Sequence, residues 1–207
     1  PLTLLLVTET TRFLVLEMGA DHEGNITYLT GIAPPDVAVV LAVGTAHLGE
    51  FGGVEAIARA KSELVTGAAE GGVAVLNADD HRVAAMAALA AGDVVTFGTV
   101  SGAQVAADDV RIDRAGRVSF ELRAAGASAP VSLHLAGVYY LSNALACAAV
   151  GLQLGLDVAT VAERLSGATA LSPHRMHVVD RPDGVTVMDD SYTGSPDSMR
   201  AALKALA

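Results

Sequence analysis

One cysteine, Cys147, stands among 207 residues, so the chain forms no internal disulfide, and such sparse thiol usage fits a reducing cytoplasm. Cys147 lies in an Ala-rich run of helical character and is read as a buried structural thiol rather than a nucleophile. No uninterrupted apolar stretch reaches the roughly 18 residues needed to span a bilayer, which excludes membrane insertion through a helix. Clusters of lysine and arginine are also missing, and the net charge is −10, which argues against nucleic acid or an anionic membrane as the main partner. A small anion stays admissible, because local groups or bound cations outweigh net charge at a site. No G-x-G-x-x-G follows a strand, so a generic dinucleotide-binding domain is set aside. Internal repeats and low-complexity linkers are absent. The opening PLTLLLVTETTR has neither a basic start nor a small-residue cleavage site, so it does not read as a signal peptide. It begins in the middle of what reads as a strand hairpin, without an initiator methionine, and a fragment is expected.

What the chain has in quantity is apolar residues, 52% of the total, in short bursts separated by polar turns. LTLLLV and FLVLEMG read as two strands, and residues 21–30 as a polar connection with a short helix. The run DVAVVLAV has the continuous apolar character of a strand buried on both faces. Val54 to Thr66 is amphipathic, with Val54, Ile57, Ala58 and Leu64 apolar and Glu55, Arg59, Lys61 and Glu63 polar. GGVAVLN and DVVTFG read as further strands with an Ala-rich helix between them. This alternation predicts an α/β fold, a mostly parallel sheet flanked by helices. From about Ala103 to Leu135 alternating residues predict a small antiparallel β meander. Asn143 to Gly155 and the stretch after Asp157 read as helices, Asp157 as an N-cap, and two strands around a Pro-Asp-Gly turn follow Ser172-Pro173. A domain boundary is expected near Leu171 to His174, dividing residues 1–172 from residues 173–207.

Several residues at the ends of these elements can carry chemistry, and each has a plainer reading. Glu17 ends an apolar run and is followed by Met-Gly-Ala; its carboxylate suits a hard cation such as magnesium, or is a solvated strand-end acid. His47, just past the next apolar run, is a cation ligand, a phosphate contact or an ordinary loop histidine. Lys61 taken alone is a surface helix lysine. Asp79 and Asp80 suit a metal or a sugar hydroxyl, but Asn-Ala-Asp-Asp is also good turn and capping chemistry, and a structural role is expected. Asn143 at the start of its helix is a base contact or a cap. Arg175 is a phosphate contact or an interdomain ion pair, and Asp189-Asp190 repeat the strand-end acidic pattern. Ser191 and Tyr192 have no Ser/His/Asp spacing around them.

Taken in order and spacing, EMGADHEGNITYLTGIAPPDVAVV, VGTAHLGEFGGVEAIARAKSEL, VLNADD, SNALACAAVGL, PHRM and GVTVMDDSYTGSPDSMRAAL resemble the Mur ligases of peptidoglycan synthesis. EMGA and DDSYTGSPDSMRAAL are most similar to the branch that joins D-Ala-D-Ala to UDP-MurNAc-tripeptide. The resemblance implies an ATP-dependent amide ligation in the cytoplasm through an acyl phosphate, with UDP-MurNAc-peptide and D-Ala-D-Ala as small-molecule substrates. It implies that Glu17 and His47 are magnesium ligands, and that Lys61 is carbamylated and holds a second magnesium. It likewise implies that Asn143 contacts adenine, Arg175 a phosphate and Asp190 the ribose. The same comparison implies a central ATP-binding domain over residues 1–172 and the first strands and helix of a C-terminal domain over residues 173–207. The family's Gly-rich phosphate loop is expected upstream of Pro1, so the chain alone is not expected to ligate.

The pattern also departs from the family's. Ala42 replaces a usual Asn, Tyr139 and Tyr140 replace a His-Asn pair and are expected to narrow the nucleotide pocket, and Thr193, Gly194 and Ser195 replace Asn-Ala-Asn. These changes leave a second expectation open, a non-catalytic Mur-ligase-like scaffold or a module that binds the nucleotide or precursor.

Overall fold

The computed structural model describes residues 2–44, 51–114, 116–169, 174–175, 177–192, 194, 199–200 and 202–203. Its centre is a six-stranded sheet in sequence order, β1 (Val37–Val40), β2 (Val73–Asn77), β3 (Val94–Gly98), β4 (Val105–Ile112), β5 (Arg117–Ala124) and β6 (Ala127–Ala136). The pairs β1–β2, β2–β3 and β3–β4 are parallel, whereas β4–β5 and β5–β6 are antiparallel. The predicted parallel sheet and meander are therefore one continuous sheet. The β5–β6 turn has both central residues in the left-handed region, Ala125 at φ 51° and Gly126 at φ 78°, which matches the twist of a tight hairpin.

Among the described residues the sheet is accompanied by the helices α1 (Asn25–Ile32), α2 (Val54–Thr66), α3 (His81–Ala85), α4 (Tyr139–Gln153) and α5 (Val158–Ser166). Strand β2 shows how the layers form. Its alternate residues Ala74 and Leu76 face one cluster with Val40, Val65, Val83 and Met86, while Val75 faces another with Phe97, Leu122, Val131 and Leu145. Period-two alternation thus sends one strand's side chains into two cores, one under α2 and α3 and one under α4 and α5. Asp157 caps α5 as expected, accepting from the Thr160 amide at 2.7 Å.

Three sequence expectations need correction. Leu2–Leu6 form a 3₁₀ helix, and residues 11–20 have no regular structure, so neither LTLLLV nor FLVLEMG is a strand. Apolar alternation gives a strand only where a neighbour supplies the backbone hydrogen bonds, and β1 pairs with β2 alone among the described strands. Helix α4 starts at Tyr139 with Val138 as N-cap, which places Asn143 in the second turn and removes its capping role. Cys147 is exposed: α4 turns Leu141, Ala144, Leu145, Ala148 and Ala149 into the core, and the thiol lies outside that stripe. The predicted helix after Asp189-Asp190 falls largely outside the described residues.

Helix α2 is tied down on several sides. Arg59 donates to Glu23 at 2.7 Å, and Arg82 donates to Glu55 at 2.7 Å. Glu63 does more, because α1 begins at Gly24, which has no side chain to cap it. The Glu63 carboxylate accepts from the Gly24 amide at 2.6 Å and the Thr27 amide at 2.8 Å, capping α1 from another helix. Glu63→Ala is expected to cost about 1 kcal/mol in urea denaturation, whereas Glu63→Gln, which keeps an acceptor, retains most of that stability. Equal loss in both variants would show that charge, not capping, is what matters.

Candidate functional site at the strand ends

Parallel strands of an open α/β sheet leave their ligand crevice at their C-terminal ends. Here β1 and β2 end at Val40 and Asn77; the chain beyond β1 is held by side chains of residues 77 and 80, while just beyond β2 the Ala78 amide still donates to the Phe97 carbonyl at 2.7 Å. Asn77 is buried, 6% exposed, and its amide donates to the Leu41 carbonyl at 2.8 Å and the Ser142 hydroxyl at 3.3 Å. Its Oδ1 accepts from the Asp79 amide at 2.9 Å. Asp80 caps α3 by accepting from the Arg82 and Val83 amides, and its other oxygen accepts from the Val43 amide at 2.7 Å. Asp79 accepts from the Thr99 and Val100 amides at 2.8 and 2.9 Å, which makes it a turn residue at the end of β3. The structural reading of the acidic pair therefore holds. Asn77 carries no distinguishing signal in the sequence, where a polar residue closing an apolar strand resembles a turn.

Lys61 is half-buried on α2. Burial pushes its ammonium below the ordinary lysine value, and the Asp80 carboxylate works in the opposite direction. An amine so placed is deprotonated more readily than a surface lysine. Glu17 lies exposed on the irregular segment 11–20, and His47 is outside the described residues. Among the described residues, no three His, Cys, Asp or Glu side chains gather closely enough to hold a metal ion.

A second set of residues converges on the first turn of α4. The Tyr139 and Tyr140 rings lie 4.7 Å apart, and Gly137 at φ 129° makes room for them: a Cβ there would sit 2.8 Å from the Tyr139 ring. Burial raises the Tyr139 phenol well above the ordinary tyrosine value, the neighbouring Tyr140 and Asp190 raise it further, and Arg175 opposes them. Tyr139, on α4, thus shares its electrostatic surroundings with two of the predicted nucleotide contacts, Asp190 and Arg175. Asn143 follows Tyr139 by one turn of the same helix, so the two share a face.

Arg175 and Asp190 flank a separate two-stranded antiparallel sheet, β7 (His177–Asp180) and β8 (Thr186–Asp189), the first preceding β7 and the second following β8, with a turn between the strands in which Gly184 has φ 83°. The Arg175 guanidinium stacks on the Tyr192 ring, 3.9 Å from its centroid. Asp189 joins the two ends of this unit: its oxygens lie 2.7 Å from the Ser191 hydroxyl and 2.7 Å from His174 Nδ1. The acid sits between serine and histidine, an order unlike that of a nucleophilic triad. The Ser191 hydroxyl first, then His174 and the Ser191 amide, hold the Asp189 carboxyl down at about 2. Because that value lies below the usual 3.8, the carboxylate's contribution is complete above pH 3.8 and is lost as pH falls through about 2. An NMR pH titration that follows the Asp189 carboxyl carbon is expected to place its inflection in that acidic range, and Ser191→Ala is expected to move it upward.

Comparison with known proteins agrees with this geometry. Residues 1–151 match the family model described as the Mur ligase middle domain. The whole chain is 50% identical to the UDP-N-acetylmuramoyl-tripeptide--D-alanyl-D-alanine ligase of Mycobacterium tuberculosis and spans 41% of that protein's length. Among solved structures it is similar to MurF from Acinetobacter baumannii, with a TM-score of 0.90 and 33% identity over 98% of this chain and 44% of that one. It is also similar to the MurF ligase from Thermotoga maritima in complex with ADP, with a TM-score of 0.81 and 32% identity over 93% of this chain and 44% of that one. A sheet of this order and a family match over residues 1–151 place the chain in the Mur ligase family.

Proposed function

We propose that the full-length gene product is an ATP-dependent ligase that joins D-Ala-D-Ala to UDP-MurNAc-tripeptide in peptidoglycan precursor synthesis. The observation that carries this reading is 50% identity, along every residue of this chain, to a ligase named for that reaction. In the proposed division, residues 1–172 form the central nucleotide-binding domain and residues 173–207 begin a C-terminal one. ATP and a nucleotide-linked peptide as substrates fit a cytoplasmic setting, and no helix among the described residues is long and apolar enough to cross a membrane.

In this reading the α-phosphate-to-base side of ATP is held from two directions. Asn143 reads the adenine from α4, while Asp190 contacts the ribose and Arg175 a phosphate from the β7–β8 side. A guanidinium suits that role because its planar fork of donors pairs with two phosphate oxygens at once. The tripeptide carboxylate takes the γ-phosphoryl group and ADP leaves. The amine of D-Ala-D-Ala then attacks the acyl carbon, inorganic phosphate departs, and the amine's proton passes to solvent or to a base.

Lys61 is proposed to carry a carbamate, formed when its neutral amine adds carbon dioxide and releases a proton. The depressed amine of Lys61 favours that addition, because only the neutral form has a free lone pair. In this reading the Glu17 carboxylate and the His47 imidazole would hold one magnesium, and the carbamate oxygens of Lys61 a second. Bound magnesium would supply charge neutralisation of the moving phosphoryl group.

The test is to incubate the full-length gene product with ATP, Mg²⁺, UDP-MurNAc-tripeptide and D-Ala-D-Ala, following phosphate release and the ligated product by mass spectrometry. Product that requires both ATP and the dipeptide supports the reading. Precursor binding without any product would favour a non-catalytic scaffold, the reading suggested by Ala42, Tyr139 and Tyr140.

A further inference from the structure

Asn77 has no place in the roles proposed above, yet it touches both halves of the proposed nucleotide site. Strand β1 leaves the sheet ladder at Val40, where its last partner is Leu76. The next hydrogen bond on that edge is not a backbone pair: it is the Asn77 side chain that donates to the Leu41 carbonyl at 2.8 Å. Two residues on, Asp80 holds the Val43 amide at 2.7 Å. The backbone of residues 41–43, which leads toward His47, is thus gripped by two side chains of the segment 77–80.

The same Asn77 amide reaches the other way, to the Ser142 hydroxyl on α4 at 3.3 Å. Ser142 stands next to Asn143 and one turn beyond Val138, the N-cap of α4. Period-two alternation explains the reach: Asn77 follows Val75 on the face of β2 that packs under α4. Asp80 in turn supplies the negative charge felt by Lys61. Four residues, 77–80, therefore connect the lead-in to His47, the helix bearing Lys61 and the helix bearing Asn143.

A buried amide in a strand is a poor choice for sheet stability alone, since Asn is depleted in strands and an unsatisfied buried donor is costly. Asn77 is satisfied at once by Leu41, by Ser142 and by Asp79 of its own turn, an arrangement that an apolar side chain of the same volume cannot reproduce. We propose that Asn77 is a positioning residue that couples the β1 exit, at the cation end of the site, to α4, at its base end. With Asn77 in place the two ends keep one fixed separation, which a nucleotide spanning from base to γ-phosphate requires. The inference rests on the ligase reading for its catalytic consequence, but the coupling itself is a property of the free protein.

The experiment uses the full-length gene product and two variants. Asn77→Asp keeps the acceptor for the Asp79 amide but sets a carboxylate oxygen against the Leu41 carbonyl. Ser142→Ala is mild and removes only the acceptor on α4. Hydrogen exchange read by mass spectrometry is expected to speed up about tenfold at residues 41–43 in both variants, although Ser142 is joined to Leu41 through the Asn77 amide and not by a hydrogen bond of its own. In ligation assays, Ser142→Ala is expected to raise KM for ATP about fivefold with kcat within twofold, and Asn77→Asp to lower kcat at least tenfold. A residue with a purely structural role would lower Tm without producing that split. If Ser142→Ala speeds exchange only in its own helix, the coupling is overturned, whatever the enzyme assays show. An inactive wild-type protein, by contrast, would overturn the ligase reading while the exchange data still decide the coupling.

Discussion

Lys61→Ala in the full-length gene product is expected to lower kcat for ATP-dependent ligation by on the order of 10³-fold and to leave Tm nearly unchanged. The first half follows from the proposed carbamate: alanine supplies no oxygen for a cation, and added bicarbonate cannot restore one. The second follows from how α2 is held. Arg59 with Glu23, Glu63 with α1 and Glu55 with Arg82 all act independently of Lys61, and Ile57, Ala60 and Val65 supply the buried side of the helix. Removing a half-buried cation whose burial is unfavourable takes away little that the fold needs. Phosphate release measured beside a thermal melt separates the two halves. Full activity in Lys61→Ala would eliminate the carbamate role, and a collapsed melt would show that Lys61 stabilises the helix instead.

The sheet was legible because its signals are local. VAVLN and VVTFG are short apolar runs between turn residues, helix α2 spans the residues its periodicity predicts, and the meander's alternation survives in β5 and β6, whereas β4 is buried over its first three residues and exposed beyond them. The two strands expected before residue 20 failed for the complementary reason: their pattern was local, but the partner a strand needs is not, and none of the described strands pairs with them. Site residues divide in the same way. Asp80 and Asp157 were legible as caps because capping acts over three residues. Asn77 was not, because its partners Leu41 and Ser142 stand 36 and 65 positions away. Nor could spacing reveal that Tyr139 shares an environment with Asp190 and Arg175. Lys61 is a third case: its helical context reads as a surface lysine, and only the resemblance to a family supplies a chemical role. Partial burial beside Asp80 is what makes the residue distinctive in the structure.

Gly92→Ala is expected to destabilise the fold more than either Glu63→Ala or Lys61→Ala, and it acts at the opposite end of the sheet from the proposed site. Gly92 and Gly72 precede β3 and β2, and at the N-terminal ends of those strands their backbones meet: a Cβ on Gly92 would stand 2.1 Å from the Gly72 carbonyl oxygen. That neighbour is backbone, so no rotamer change relieves the clash. Gly72 cannot retreat freely either, because its own amide donates to the Ala69 carbonyl at 2.8 Å, and a Cβ there would lie 2.8 Å from that same oxygen. Relief has to come from separating β2 from β3 at their first pair, Ala74 with Val94, next to the Ala74 amide's 2.8 Å bond to the Asp93 carbonyl. Overpacking of this kind costs about 3 kcal/mol, which for a chain of this size lowers Tm by roughly 6–12 °C. KM for ATP is expected to stay within twofold of wild type, since the proposed nucleotide contacts lie on α4 and beside β7 and β8. A Gly92→Ala protein that melts normally would show that the turn before β3 yields at little cost. One that melts early and also loses ATP affinity would show that strain at one end of β2 reaches Asn77 at the other.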